Sequence, residues 1–179
     1  MRAGLSGFAK LGVISLVLIL SGCVSKYRVD AYTPPAAHIE KEASFYVPLP
    51  QNGQFDGTEY PNSGSQTAAE LRAALLVHVS KVEVGTTKAE DLTAALAEAK
   101  KRGLDHLAQA DILHWEDRAT EWSGIPDKIT LKLSIYDVQS GALLSSTVTA
   151  ASSKWGTLGG DHPQDLLPEP IKRFVDPLF

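Results

Sequence analysis

Two residues apart near the middle of the chain, His114 and Glu116 are the side chains best suited to metal or acid–base chemistry. On a strand that spacing puts both on one face, where they offer two metal ligands or the His-x-Glu half of a zinc deaminase site. The other half, Pro-Cys-x-x-Cys, does not occur in the sequence, and His38, His78, His106 and His162 show no ligand spacing. Structural zinc normally takes four protein ligands, so the pair reads as the polar end of a strand and no metal is expected. Glu116, Asp117 and Glu121 are candidate paired carboxylates, but Arg118 stands among them and charged surface pairs are common. Gly85-Thr86-Thr87-Lys88 and the glycines from Gly156 to Gly160 lack P-loop spacing, and no Gly-x-Ser-x-Gly elbow occurs, so both segments read as turns. With no complete set of catalytic residues and no cofactor motif, the expectation is a protein that is not an enzyme.

The charged segment reads better as a contact surface. Trp115 and Trp122 bracket Glu116, Asp117, Arg118 and Glu121, and two indoles beside an arginine have the composition of a binding hot spot. The competing reading packs the indoles back onto the sheet, as tryptophan is largely buried on average. Their exposure decides between the two. The long loop from Gln51 to Gly64 is a second candidate surface, because Gly53, Gly57, Pro61 and Gly64 stand among polar residues there and argue against a continued sheet.

The 179 residues carry 17 basic and 21 acidic side chains, and without Arg2 and Lys10 of the amino-terminal segment the basic count falls to 15. A chain of that balance lacks the basic face that nucleic-acid binding needs, so no nucleic acid is expected as a partner. One cysteine in the whole sequence forbids an intramolecular disulfide and a thiolate cluster. That cysteine, Cys23, has its own context. Arg2 and Lys10 precede an apolar run from Leu11 to Leu20, which is shorter than the roughly 20 apolar residues a permanent span needs. The run reads as the core of a signal peptide.

Its ending, Leu20-Ser21-Gly22-Cys23, resembles the bacterial lipobox at all four positions. The resemblance implies cleavage between Gly22 and Cys23, a diacylglycerol thioether on Cys23, and a further acyl group such as palmitate on the new amino terminus. Several acyl chains make attachment durable, at about 0.8 kcal/mol per buried methylene. Val24 follows where an aspartate would resemble the inner-membrane retention signal of Gram-negative lipoproteins, so the analogy favours the outer membrane with the domain facing the periplasm.

Beyond the leader, 1–22, residues 23–42 mix charges with Tyr27, Tyr32 and Thr33-Pro34-Pro35 and hold no sustained period, which predicts a lipidated tether. Lys26 to Val29 alternates enough to lie along the domain as an edge strand. Residues 43–179 predict a single α/β globular domain. Ser44 to Leu49 is a first strand. A helix capped by Ser65 or Thr67, with Glu70 completing a capping box, runs to Val79, and Ala68, Leu71, Ala74, Leu75 and His78 form its packing face. Lys81 to Val84 is a short strand. Thr87 and Glu90 open a second helix, closed by Lys100, Lys101, Arg102 and Gly103. Three strands follow: Leu107 to Trp115; the alternating run through Ile129, Leu131, Leu133 and Ile135; and Ala142 to Ala150, after the turn Gln139-Ser140-Gly141. The last strand sets Leu144, Val148 and Ala150 on one side and Ser145, Thr147 and Thr149 on the other. A last helix, Gln164 to Val175, takes Pro168 and Pro170 near its first turn. The predicted class is α/β, a mixed β-sheet with helices packed on one side of it, in the order β-α-β-α-β-β-β-α.

Leu104 to Ile112 and Lys132 to Gly141 resemble the helix-to-strand junction and the paired strand of envelope lipoproteins related to the amino-terminal domain of TolB, although Leu-Asp-His-Leu replaces the usual strand start. His114 to Gly124, together with the lipobox, more closely resembles a small family of uncharacterised Gram-negative lipoproteins known only as a domain of unknown function. The resemblance implies a fold and a place in the cell envelope, with no stated activity. The expected protein is therefore an anchored module that binds or assembles with an envelope protein partner, or else carries or senses a small periplasmic ligand, and whose membrane contact runs through Cys23.

Overall fold

A computed structural model describes residues 25–88, 91–118, 125–153 and 162–179. Among these residues eight strands and three α-helices follow one another as β1 (Lys26–Thr33), β2 (Ser44–Leu49), β3 (Gln54–Phe55), β4 (Thr58–Glu59), α1 (Ser63–Leu75), β5 (Lys81–Lys88), α2 (Leu92–Lys101), β6 (His106–Glu116), β7 (Lys128–Asp137), β8 (Leu143–Ser152) and α3 (Pro168–Val175). Six of the strands form one sheet in the order β1-β8-β7-β6-β2-β5, in which β2 runs parallel to both β5 and β6 and the other pairs are antiparallel. From β2 onward the predicted order stands, with the small β3–β4 hairpin inserted before α1.

The period of two along β2 divides the core. Phe45 and Val47 join Leu131, Leu133 and Ile135 beneath α1 and α3, where Leu71, Leu75, Ile171 and Val175 are fully buried. Tyr46 points the other way and packs with Leu107 and Val138 against Ala95 and Ala99 of α2. The helices therefore lie on both faces, and the expectation of one helical side is corrected. The cause is topological: β2 has a parallel neighbour on each side, the crossover through α1 leads from β2 out to β5 and the one through α2 leads back from β5 across β2 to β6. Right-handed crossovers in opposite directions put their helices on opposite faces. Because α2 reaches only the β5-β2-β6 end, the outer face of β7, β8 and β1 carries no helix among the described residues.

Segment boundaries differ from expectation for local reasons. Residues 23–42, predicted as a tether in which Lys26 to Val29 could lie as an edge strand, contain the edge strand β1, which runs on to Thr33 and pairs with β8 from Lys26↔Ser152 to Thr33↔Ser146. The buried side of β8 is its hydroxyl side. Ser145, Thr147 and Thr149 donate to the carbonyl oxygens of Thr33, Ala31 and Arg28 at 2.8, 3.0 and 3.0 Å, so β1 satisfies three polar groups that the core would otherwise strand. The Gln51–Gly64 loop folds back on itself through Asp56 and Gly57, both at positive φ (48° and 75°), which is the turn that a two-residue hairpin needs.

Helix α1 starts before Ser65, at the left-handed Asn62, and Thr67 lies inside it, donating to the carbonyl of Ser63 at 2.8 Å. Helix α2 is capped by Asp91, whose carboxylate accepts the Ala94 N–H at 2.8 Å, while Thr87 belongs to β5 and Glu90 lies outside the described residues. Gly85 to Lys88, predicted as a turn, likewise continues β5. A Cβ at Gly85 would stand 2.5 Å from the Tyr46 hydroxyl, so any larger residue there makes the Tyr46 ring shift. The glycines 156–160 lie outside the described residues.

Candidate functional site

His114 and Glu116 do share one face, at the far end of β6, and they satisfy each other. Glu116 is buried and its carboxylate lies 3.1 Å from His114 Nε2 and 3.6 Å from Lys128 Nζ, with the Arg118 guanidinium paired to its other oxygen. Burial alone would push the Glu116 carboxyl up, but the hydrogen bonds from His114 and Arg118 and the charge of Lys128 prevail and hold it below the usual carboxylate range. A carboxylate so engaged is kept ionised and has no proton to give at neutral pH. No group of three or more histidine, cysteine or acidic side chains converges in metal-binding geometry among the described residues.

Across the strand end, Asp127 Oδ1 accepts the Arg118 backbone N–H at 2.6 Å and ties the end of β6 to the start of β7. Burial raises the Asp127 carboxyl against that hydrogen bond. The β3–β4 hairpin covers the cluster from the side. Phe55 packs edge-on against the His114 imidazole at 5.0 Å and lies under the Arg118 guanidinium at 5.3 Å.

Trp115 is not a surface residue. It is 2% exposed, and its Cβ lies 2.4 Å from where a Cβ on Gly53 would sit. The pairing slips by one residue between Ile112 and His114, leaving Leu113 as the extra, exposed residue. That bulge inverts the alternation, so Trp115 turns inward beside Ile129. Of the proposed contact surface, Trp115 and Glu116 are thus removed by burial, Asp117 and Arg118 keep partly exposed side chains, and Glu121 and Trp122 lie outside the described residues. Gly22 and Cys23 lie outside them as well.

Beside this cluster opens a cleft of about 840 Å³ that sequence reasoning missed. Lys26 and Arg28 from β1, His114 from β6, Lys128 and Thr130 from β7 and Ser152 from β8 line it, and no carboxylate does among the described residues. Its three cations come from two distant stretches of sequence, and only Lys26 and Arg28, just after Cys23, offered a local signal. A smaller crevice of about 150 Å³ lies where β2 ends between its two parallel neighbours, with Asp91, Gln109 and Asp111 in its wall. Its two carboxylates are engaged, Asp91 by the α2 amino terminus and Asp111 by the Gln109 amide at 2.9 Å, while the buried Gln109 Oε1 has no partner among the described residues.

Residues 37–178 match the model of the family described as domain of unknown function DUF4823. The chain belongs to that family. No curated protein matches it. Among solved structures, this chain resembles a chain of the PelC dodecamer from Paraburkholderia phytofirmans, with a TM-score of 0.67 at 15% identity over 87% of this chain and 97% of that one. It also resembles protein XCC0632 from Xanthomonas campestris, of family DUF330, with a TM-score of 0.51 at 11% identity over 80% and 87% of the two chains. Lipoprotein GNA1162 from Neisseria meningitidis aligns with a TM-score of 0.49 at 19% identity over 75% and 96%. At these identities the first two likenesses show a shared fold and nothing finer.

Proposed function

We propose that this DUF4823 chain is a lipid-anchored protein of the cell envelope, held in the outer membrane through Cys23, whose domain is a non-enzymatic module for binding or assembly. The observation that carries the reading is the short distance between two features: the Leu20-Ser21-Gly22-Cys23 sequence and, from Lys26, an edge strand of the folded domain. A body attached so closely stays within the layer next to the bilayer, where a high effective concentration lets weak contacts suffice. The outer face of β7, β8 and β1 and the edge of β1, which pairs with no further strand among the described residues, are the surfaces we assign to such contacts, and the resemblance to a protein described as a dodecamer makes a second copy of the chain one candidate partner. Two measurements test this. A Cys23→Ala precursor should remain uncleaved and take up no labelled palmitate. Native mass spectrometry and crosslinking in intact cells should capture assemblies that the anchored protein forms and the Cys23→Ala form loses; an anchored protein that is monomeric and crosslinks to nothing defeats the assembly half.

The carrier reading has less behind it. Pockets that enclose a small molecule usually measure about 300–1,000 Å³, and the crevice at the end of β2 is smaller, while the larger cleft is open and cationic.

A further inference from the structure

We propose that the cleft lined by Lys26, Arg28 and Lys128 docks on anionic phospholipid headgroups, so that the end of the sheet where β1 begins lies against the membrane. The proposal rests on the anchored reading and adds which part of the domain meets the bilayer.

Three observations carry it. The lining holds three cations and no carboxylate among the described residues, in a chain whose formal charge is −4, so the positive charge is local and not a general property. Glu116, 3.6 Å from Lys128 Nζ, is buried and shared with His114 and Arg118, and Asp30, which pairs with Arg28 at 2.5 Å, does not line the cleft. Lys26, in the cleft wall, stands three residues after Cys23 in the sequence, so a lipid on Cys23 joins the domain at this rim. Tyr27 also lines the cleft, and a phenol suits the headgroup layer. Each basic side chain near an anionic surface contributes roughly a fivefold gain in binding at low salt.

The test uses the full, processed protein purified from membranes and mixed with vesicles of phosphatidylcholine, with or without added phosphatidylglycerol. Flotation and amine acylation read by mass spectrometry are measured together. Lys26 and Lys128 should label about fivefold more slowly on the anionic vesicles, Lys101 should label equally on both, and Arg28→Glu should restore the fast labelling of Lys26. Equal labelling of Lys26 on both vesicles overturns the docking surface while flotation with both leaves the anchor standing. Flotation with anionic vesicles alone supports docking and defeats the anchor, and flotation with neither defeats both. Protection by inorganic phosphate without vesicles would overturn the membrane as the occupant.

Discussion

The two faces of the sheet are built by opposite rules. Under α1 and α3 the sheet presents Phe45, Val47, Leu131, Leu133 and Ile135 to two helices and seals the largest cluster of the core. On the other side α2 covers one end, and the outer positions of β7, β8 and β1 carry Lys128, Thr130, Lys132, Ala150, Arg28 and Lys26 instead. The difference teaches where each kind of free energy resides: stability is concentrated on the sealed face, and the open face is left for contacts with other molecules.

Substitutions on the two faces should differ sharply. Leu133→Ala removes a fully buried side chain and should cost about 3 kcal/mol in urea unfolding. Thr130→Ala, three residues away along β7 on the open face, should stay within about 0.5 kcal/mol. Equal losses would erase the distinction. Glu116→Gln tests the polar end of the same sheet and should cost about 2 kcal/mol at pH 7, since it leaves Arg118 and Lys128 without their counter-charge. Because the folded Glu116 carboxyl is held below its unfolded value, its contribution is present above the ordinary carboxylate range and is lost as pH falls through the lowered folded value. The gap between wild type and variant in pH-dependent unfolding should therefore close in acid.

A smaller effect separates β1 from the rest. Thr147→Val deletes the hydroxyl bonded to the Ala31 carbonyl and should cost about 1 kcal/mol, with hydrogen exchange rising first in Lys26–Thr33. Exchange that rises evenly over the sheet would show β1 to be an integral strand. The smallest effect belongs to His106. Burial lowers its pKa, and its ring packs 5.1 Å from Phe45. The unfolded chain binds the proton more readily, so stability should decline as pH falls below about 6.5, and His106→Gln should flatten that decline in thermal melts between neutral and mildly acidic pH.

Much of the sealed face, and the end of the helix opposite it, was legible from the sequence. The alternation Ile129, Leu131, Leu133, Ile135 marked β7 and its wet side, and Lys100 to Gly103 marked the end of α2, since both patterns are local. What escaped depends on register between distant segments. The one-residue bulge at Leu113 reverses which way Trp115 points, and no property of residues 107–116 taken alone announces it. A second slip between Val29 and Ala31 breaks the alternation of β1, which is why that strand looked like a tether. The reason β1 belongs to the sheet lies in the hydroxyls of Ser145, Thr147 and Thr149, more than 100 positions away. Asp56-Gly57 was a readable signal, hidden by the polar, glycine-rich stretch around it. The cationic cleft was illegible for the same reason as β1, because its walls meet only once β1, β7 and β8 are paired.

The position of β1 also has a mechanical meaning. Any pull transmitted from upstream of Lys26 enters the domain through a strand whose whole ladder with β8 runs along its length. When the load is directed along that ladder, its rungs and the three hydroxyl contacts must give way together, whereas a load directed away from the sheet peels them one by one. The resistance of the domain to being dragged from its amino terminus is thus set by the angle of the pull.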